Sequence, residues 1–98
     1  MRSKRKLTWS PVAQEQWKEI LRFYTKRNGS VDYSRRLNKK LLAMFRMIRL
    51  WPEIGEETDG VRNYRRHVVE YYAVYYCITN DEIKIAEIRD GRRDEENE

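Results

Sequence analysis

At Pro52 the spacing of the apolar residues changes, and that change narrows the folds open to this chain. Before it, Val12, Ala13, Trp17, Ile20, Leu21 and Tyr24 recur at helical intervals, as do Leu37, Leu41, Met44, Phe45, Ile48 and Trp51. After it, Val68, Val69, Tyr72, Val74, Tyr76 and Ile78 mark two short strands meeting near Glu70, and Ile83, Ile85 and Ile88 mark a third. A chain that is helical first and extended afterwards segregates its elements, which is the pattern of an α+β domain.

The punctuation agrees. Lys6-Leu7-Thr8-Trp9 reads as a short opening strand. Ser10 can cap a helix that has Pro11 at its first position, where no useful N–H is lost. Asn28-Gly29 ends that helix, because both residues tolerate positive φ. Ser30 can cap a second helix running to about Trp51, where Pro52 stops it. Glu53 to Gly60 reads as an acidic loop, and strands follow at about 62–69, 71–79 and 82–89, the last two joined at Asn80-Asp81. The expected order is β-α-α-β-β-β: a helical hairpin packed on one face of a small, mainly antiparallel four-stranded sheet. The 98 residues suffice for a single domain spanning 1–98, with a basic arm at 1–5 and an acidic tail at 95–98 expected to be flexible.

The net charge of +5 conceals a separation of sign. Residues 1–51 hold 14 Lys and Arg against 3 Asp and Glu, whereas residues 52–98 hold 7 against 13. The basic half favours nucleic acid or an acidic protein partner. On the second helix Arg35, Lys39, Arg46 and Arg49 fall opposite the apolar stripe, flanked by Arg36 and Lys40 and interrupted by Leu42. At the other end, Asp90-Gly91-Arg92-Arg93-Asp94 aims guanidinium groups off the rim of a sheet, where they can grip a phosphate or a carboxylate-rich partner.

One cysteine, Cys77, excludes an internal disulfide and reads as a buried, inert thiol suited to a reducing cytoplasm. One cysteine and one histidine are too few for a zinc site, so no metal or cofactor is expected. No run approaches the roughly 18 apolar residues of a membrane span, and no signal peptide is visible. His67 lies on the strand face of Arg65 and Val69, opposite Arg66 and Val68, and reads either as a base or as a packed histidine. Arg65 and Arg66 point to opposite sheet faces, and whichever lies under the helices needs a carboxylate, for which Glu70 and Glu87 are candidates. Tyr71, Tyr72, Tyr75 and Tyr76 put two phenols on each sheet face, one pair in the core.

Four segments then carry a family likeness: Trp9-Ser10-Pro11-x-Ala13, Trp51-Pro52-Glu53-Ile54-Gly55, Arg65-x-x-Val68-Val69-x-x-Tyr72-x-Val74-x-Tyr76 and Ile83-x-Ile85-x-x-Ile88-x-x-Gly91-Arg92-Arg93-Asp94. In this order the chain resembles the RelE/ParE toxins of bacterial type II toxin–antitoxin systems from Leu7 to Asp94. The resemblance implies a cytoplasmic toxin held inactive by a cognate antitoxin. The RelE side of the family implies a ribosome-dependent mRNA endoribonuclease, with Arg65 and His67 at the second-strand cationic positions and Arg93 at the C-terminal one. The position after Tyr72, an arginine in such enzymes, is Ala73, and no Tyr or His follows Tyr76. The opening and the Gly91-Arg92-Arg93-Asp94 ending look more like the ParE side, whose members inhibit DNA gyrase. On that side Arg92, Arg93, Arg65, Arg35, Lys39, Arg46 and Arg49 are the residues expected to contact target or antitoxin. A non-catalytic basic module that binds nucleic acid or protein is the remaining alternative.

Overall fold

The computed structural model describes residues 5–58, 60–61 and 63–92. Its elements are β1 (Lys6–Trp9), α1 (Pro11–Asn28), α2 (Asp32–Leu50), a single 3₁₀ turn (Pro52–Ile54), β2 (Glu56–Glu57), β3 (Tyr64–Val69), β4 (Tyr72–Ile78) and β5 (Glu82–Asp90). The helices pack on one face of a mixed five-stranded sheet of order β1-β5-β4-β3-β2, in which β1 runs parallel to β5 and the other pairs are antiparallel.

The fifth strand corrects the four-stranded expectation. Within the acidic loop Glu56 and Glu57 pair through the backbone with Arg66 and Arg65. A two-residue strand is too short to show any periodicity, and only its backbone pairing with β3 defines it. β3 begins at Tyr64 rather than near 62, because Asn63 takes a positive φ of 66° and breaks the extended run.

The helix signals hold with local adjustments. Ser10 Oγ accepts the Ala13 N–H, and Gly29 closes α1 in the left-handed region, its N–H on the Thr25 carbonyl. α2 starts two residues after Ser30, whose hydroxyl still accepts the Asp32 N–H. Trp51 does not complete the apolar stripe and is 44% exposed. The backbone leaves helical geometry there (φ −135°, ψ 81°) ahead of Pro52, so helical spacing no longer aims its ring inward. Val12 is also exposed, since it sits one residue and about 100° around the helix from buried Ala13.

The buried core joins Ile20, Tyr24, Leu37, Leu41, Phe45 and Ile48 of the helices to Tyr72, Val74, Tyr76, Ile83, Ile85 and Ile88 of the sheet. Phe45 packs edge to face against Trp9 and Trp17 beside it, those two rings are tilted by 31° to each other, and the Trp17 indole N–H donates to Asn38. The spacing of the three isoleucines has a structural cause. Ala86 is a bulge in β5: Tyr75 faces Glu87 and Tyr76 faces Ile85, so the side-chain alternation shifts by one and Ile88 turns inward. Ser10 Oγ donates to the Ala86 carbonyl and Gln16 accepts the Ile88 N–H, so α1 satisfies the backbone groups that β1 is too short to reach. Cys77 is half-buried rather than buried, because it faces the side of the sheet that the helices leave uncovered.

Candidate functional site

The rim where β5 ends gathers the densest set of polar and aromatic groups. Its geometry starts from the β3–β4 hairpin, whose Glu70 adopts φ 57° to close a two-residue turn between Val69 and Tyr72. Tyr72 lies opposite Asp90, and the Gly91 N–H donates to the Tyr71 carbonyl at 2.8 Å. Asp90 is only 3% exposed. Its carboxylate accepts the Tyr24 hydroxyl at 2.6 Å through one oxygen and the Arg92 N–H at 3.0 Å through the other. A buried carboxylate without such donors is strongly unfavourable, so these bonds fix where the chain leaves the sheet.

Around this anchor the phenols form a connected group. The Tyr24 and Tyr33 ring centroids are 5.1 Å apart, and the Tyr33 and Tyr72 hydroxyls share a 3.5 Å contact. The Arg92 guanidinium stands over the Tyr71 ring at 5.1 Å and Arg36 over Tyr33 at 5.8 Å. Lys40 ion-pairs Glu70 at the hairpin tip. Burial, then the bond to Asp90, pushes the Tyr24 phenol up, and burial followed by the Tyr33 contact does the same to Tyr72. Both therefore remain hydroxyl donors at neutral pH and neither serves as a base. The rim offers cations on aromatic faces, a chemistry for holding an anionic or apolar partner rather than for moving protons.

Arg65 and His67 stand elsewhere. Their cross-strand partners are the buried Tyr76 and Val74, so both face the helix side of the sheet. Arg65 is not met by Glu70 or Glu87: Lys40 takes the first and Arg89 the second. Its guanidinium instead donates to the Gly55 carbonyl at 2.6 Å and to that of Glu53 at 3.5 Å. The same loop is held by Tyr76, whose hydroxyl donates to Pro52 and accepts the Gly55 N–H. A Cβ at Gly55 would come within 2.6 Å of that hydroxyl oxygen and 2.9 Å of the Arg66 carbonyl, which is why a glycine stands there. His67 is half-buried in an open cleft with Ile54, Glu56, Arg66 and Val68, past the end of β2, and desolvation lowers its pKa.

Arg65 lies four residues before the end of β3, roughly 15 Å from the hairpin turn at about 3.4 Å per residue, so it stands well away from the rim where Arg92 sits, and His67 lies two residues nearer that turn. Arg93, the third group of a nuclease centre, lies outside the described residues. Arg35, Lys39, Arg46 and Arg49 are all exposed on the outward side of α2, away from the rim's phenols. Among the described residues no group of three or more His, Cys, Asp or Glu side chains is placed to hold a metal ion.

Sequence reasoning missed Tyr24 and Tyr33 as members of this rim, and it placed Asp90 there without its role as the buried anchor. A signal was present for the last: Asp90 falls two residues after the inward-facing Ile88, so it points into the core, where an aspartate requires donors.

The matching family model is that of the ParE toxin of the type II toxin–antitoxin system parDE, over residues 7–95. No curated protein matches the chain significantly. Among solved structures, the chromosomal ParDE toxin–antitoxin system from P. aeruginosa superposes with a TM-score of 0.74 at 16% identity, covering 88% of this chain and 95% of that one. The YoeB dimer from Staphylococcus aureus gives 0.58 at 21% identity, covering 89% and 97%. A chain of the E. coli DinJ–YafQ toxin–antitoxin complex gives 0.53 at 13% identity, covering 92% and 96%. At such identities the likeness to these structures is one of fold.

Proposed function

The chain belongs to the ParE toxin family of type II toxin–antitoxin systems, and from that premise we propose that it acts on a protein target, DNA gyrase, and is neutralised by a cognate antitoxin. The observation that carries the reading is the separation of its cationic groups. RNA cleavage needs a base, an acid and phosphorane-stabilising cations within reach of one phosphate. Here Arg65 is engaged by loop carbonyls on the helix side of the sheet, and Arg92 stands at the far rim over Tyr71. The uncovered sheet face is also close to charge-balanced: Arg66 lies opposite Glu56, Lys84 reaches Glu82 and Arg89 pairs with Glu87. Such a face gives a polyanion little net attraction. The rim does favour a protein partner, since arginine and tyrosine side chains supply anchors in interfaces.

An antitoxin is the expected partner because the solved relatives include a ParDE system and the DinJ–YafQ complex. A ribosome-dependent endoribonuclease is the second reading, favoured by the partly desolvated His67 imidazole, which is kept neutral enough to accept a proton beside Arg66 in an open cleft.

Purified protein assayed side by side on gyrase supercoiling and on mRNA being translated decides between them. The expected result is loss of supercoiling activity with mRNA intact, weakened by Arg92→Ala. Cut mRNA that becomes intact with His67→Ala, with gyrase unaffected, overturns the proposal in favour of the nuclease. No effect in either assay leaves the chain as a binding module and also overturns it.

A further inference from the structure

The four cations along the outer side of α2 belong neither to the rim nor to the cleft. Arg35, Lys39, Arg46 and Arg49 are exposed, and none of their side chains makes an ion pair or a hydrogen bond within the described residues. Several other cations are met: Arg22 by Glu15 and Glu19, Lys40 by Glu70, Lys84 by Glu82 and Arg89 by Glu87. At 100° per residue the four lie within about 80° of one another, and at 1.5 Å per residue they span about 21 Å. Their only apolar companion at mid-span is Leu42, 45% exposed.

We propose that this ridge binds the phosphate backbone of duplex DNA without sequence preference. An amphipathic helix as partner would need apolar anchors at successive turns, and Leu42 alone does not supply them. A phosphate backbone needs only cations, and about 21 Å of duplex presents roughly one charge per 1.7 Å of axis. The form of the duplex follows from size. The B-form major groove, about 12 Å wide, admits the exposed side of a helix, whereas the narrow A-form groove does not admit side chains. In that groove Leu42 meets thymine methyl groups, an apolar contact that carries little specificity on its own. The inference is independent of the gyrase reading, because the purified chain binds DNA with no topoisomerase present.

Anisotropy of a labelled 20-base-pair DNA, titrated with protein at salt concentrations between about 50 and 200 mM, tests it. Four phosphate contacts predict that log affinity falls against log salt with a slope of about −3 to −4. Arg46→Gln with Arg49→Gln should flatten the slope by about 2, and replacing all four by Gln should bring it near zero. Arg22→Gln, which removes an already paired cation on α1, should leave it unchanged. Helical circular dichroism establishes that each variant is folded. Absent binding at the lowest salt, an unchanged slope in the four-residue variant, equal affinity for double-stranded RNA, or a Leu42-dependent acidic peptide that displaces the DNA would each overturn the proposal.

Discussion

Tyr76 acts on two segments at once. Its hydroxyl joins the Pro52 carbonyl to the Gly55 N–H inside the core, and Arg65 reaches the Gly55 carbonyl from the neighbouring strand. Tyr76→Phe keeps the ring and strands both backbone groups without a partner. At about 1–3 kcal/mol for a buried unsatisfied group, the expected loss in urea unfolding is on the order of 2 kcal/mol, with the midpoint shifted and the slope kept. The Trp51-to-Gly55 segment and Tyr76 were both visible in the sequence as family anchors, but their contact was not, because 20 residues of loop and strand separate Gly55 from Tyr76 in the chain. His67 makes a second prediction at this scale. Burial lowers its folded pKa below the unfolded value near 6.5, so the unfolded state binds the proton more readily. Its contribution is therefore complete above about 6.5 and is lost as the pH falls from there through the folded pKa. Urea midpoints between pH 7.5 and about 5.5 should drop for the native protein and drop less for His67→Gln; equal drops would show that other groups carry the dependence.

Among the elements, β5 sets the geometry of the rim, and α1 holds β5 in register. The sequence spacing of Ile83, Ile85 and Ile88 already departs from strict alternation, yet a uniform strand was the natural reading, because a bulge is defined by its partner and the partner is not local. The same limit hid β2, whose two glutamates acquire strand geometry only from Arg65 and Arg66 across from them. The helices were more legible, since their caps and stripes are local; the exceptions, Val12 and Trp51, lie at helix ends where spacing arguments fail. Ser10 joins the two kinds of information. It caps α1, as the sequence suggested, and also donates to the Ala86 carbonyl at the bulge, which only the fold reveals. Ser10→Ala removes both bonds. A lost cap alone costs about 1 kcal/mol, and an orphaned carbonyl adds a similar amount. For a domain of this size the melting temperature should fall by roughly 8–16 °C, about twice the drop expected from a lost cap alone. A shift within about 2 °C of native would mean that water replaces both bonds.

For the whole molecule the consequence is a division of labour between surfaces set by where charge is paired. Among the described residues the strand half holds Arg65 against carbonyls, Arg89 against a carboxylate and Arg92 over a ring, whereas α2 leaves four cations unmet. The rim at Arg92 stands apart from the α2 ridge, so the two should fail independently. In cells expressing the chain alone, growth should stop, and co-expression of the cognate antitoxin should restore it. Arg92→Ala should relieve the arrest while leaving the urea midpoint close to native, because a guanidinium at the surface resting on one ring contributes little to folding. The four-residue Gln variant of α2 should still arrest growth if gyrase is reached through the rim. Reading growth, stability and DNA affinity on the same two variants separates the surfaces: if Arg92→Ala arrests growth as well as the native chain does, the rim is not the target-binding surface, whatever α2 binds.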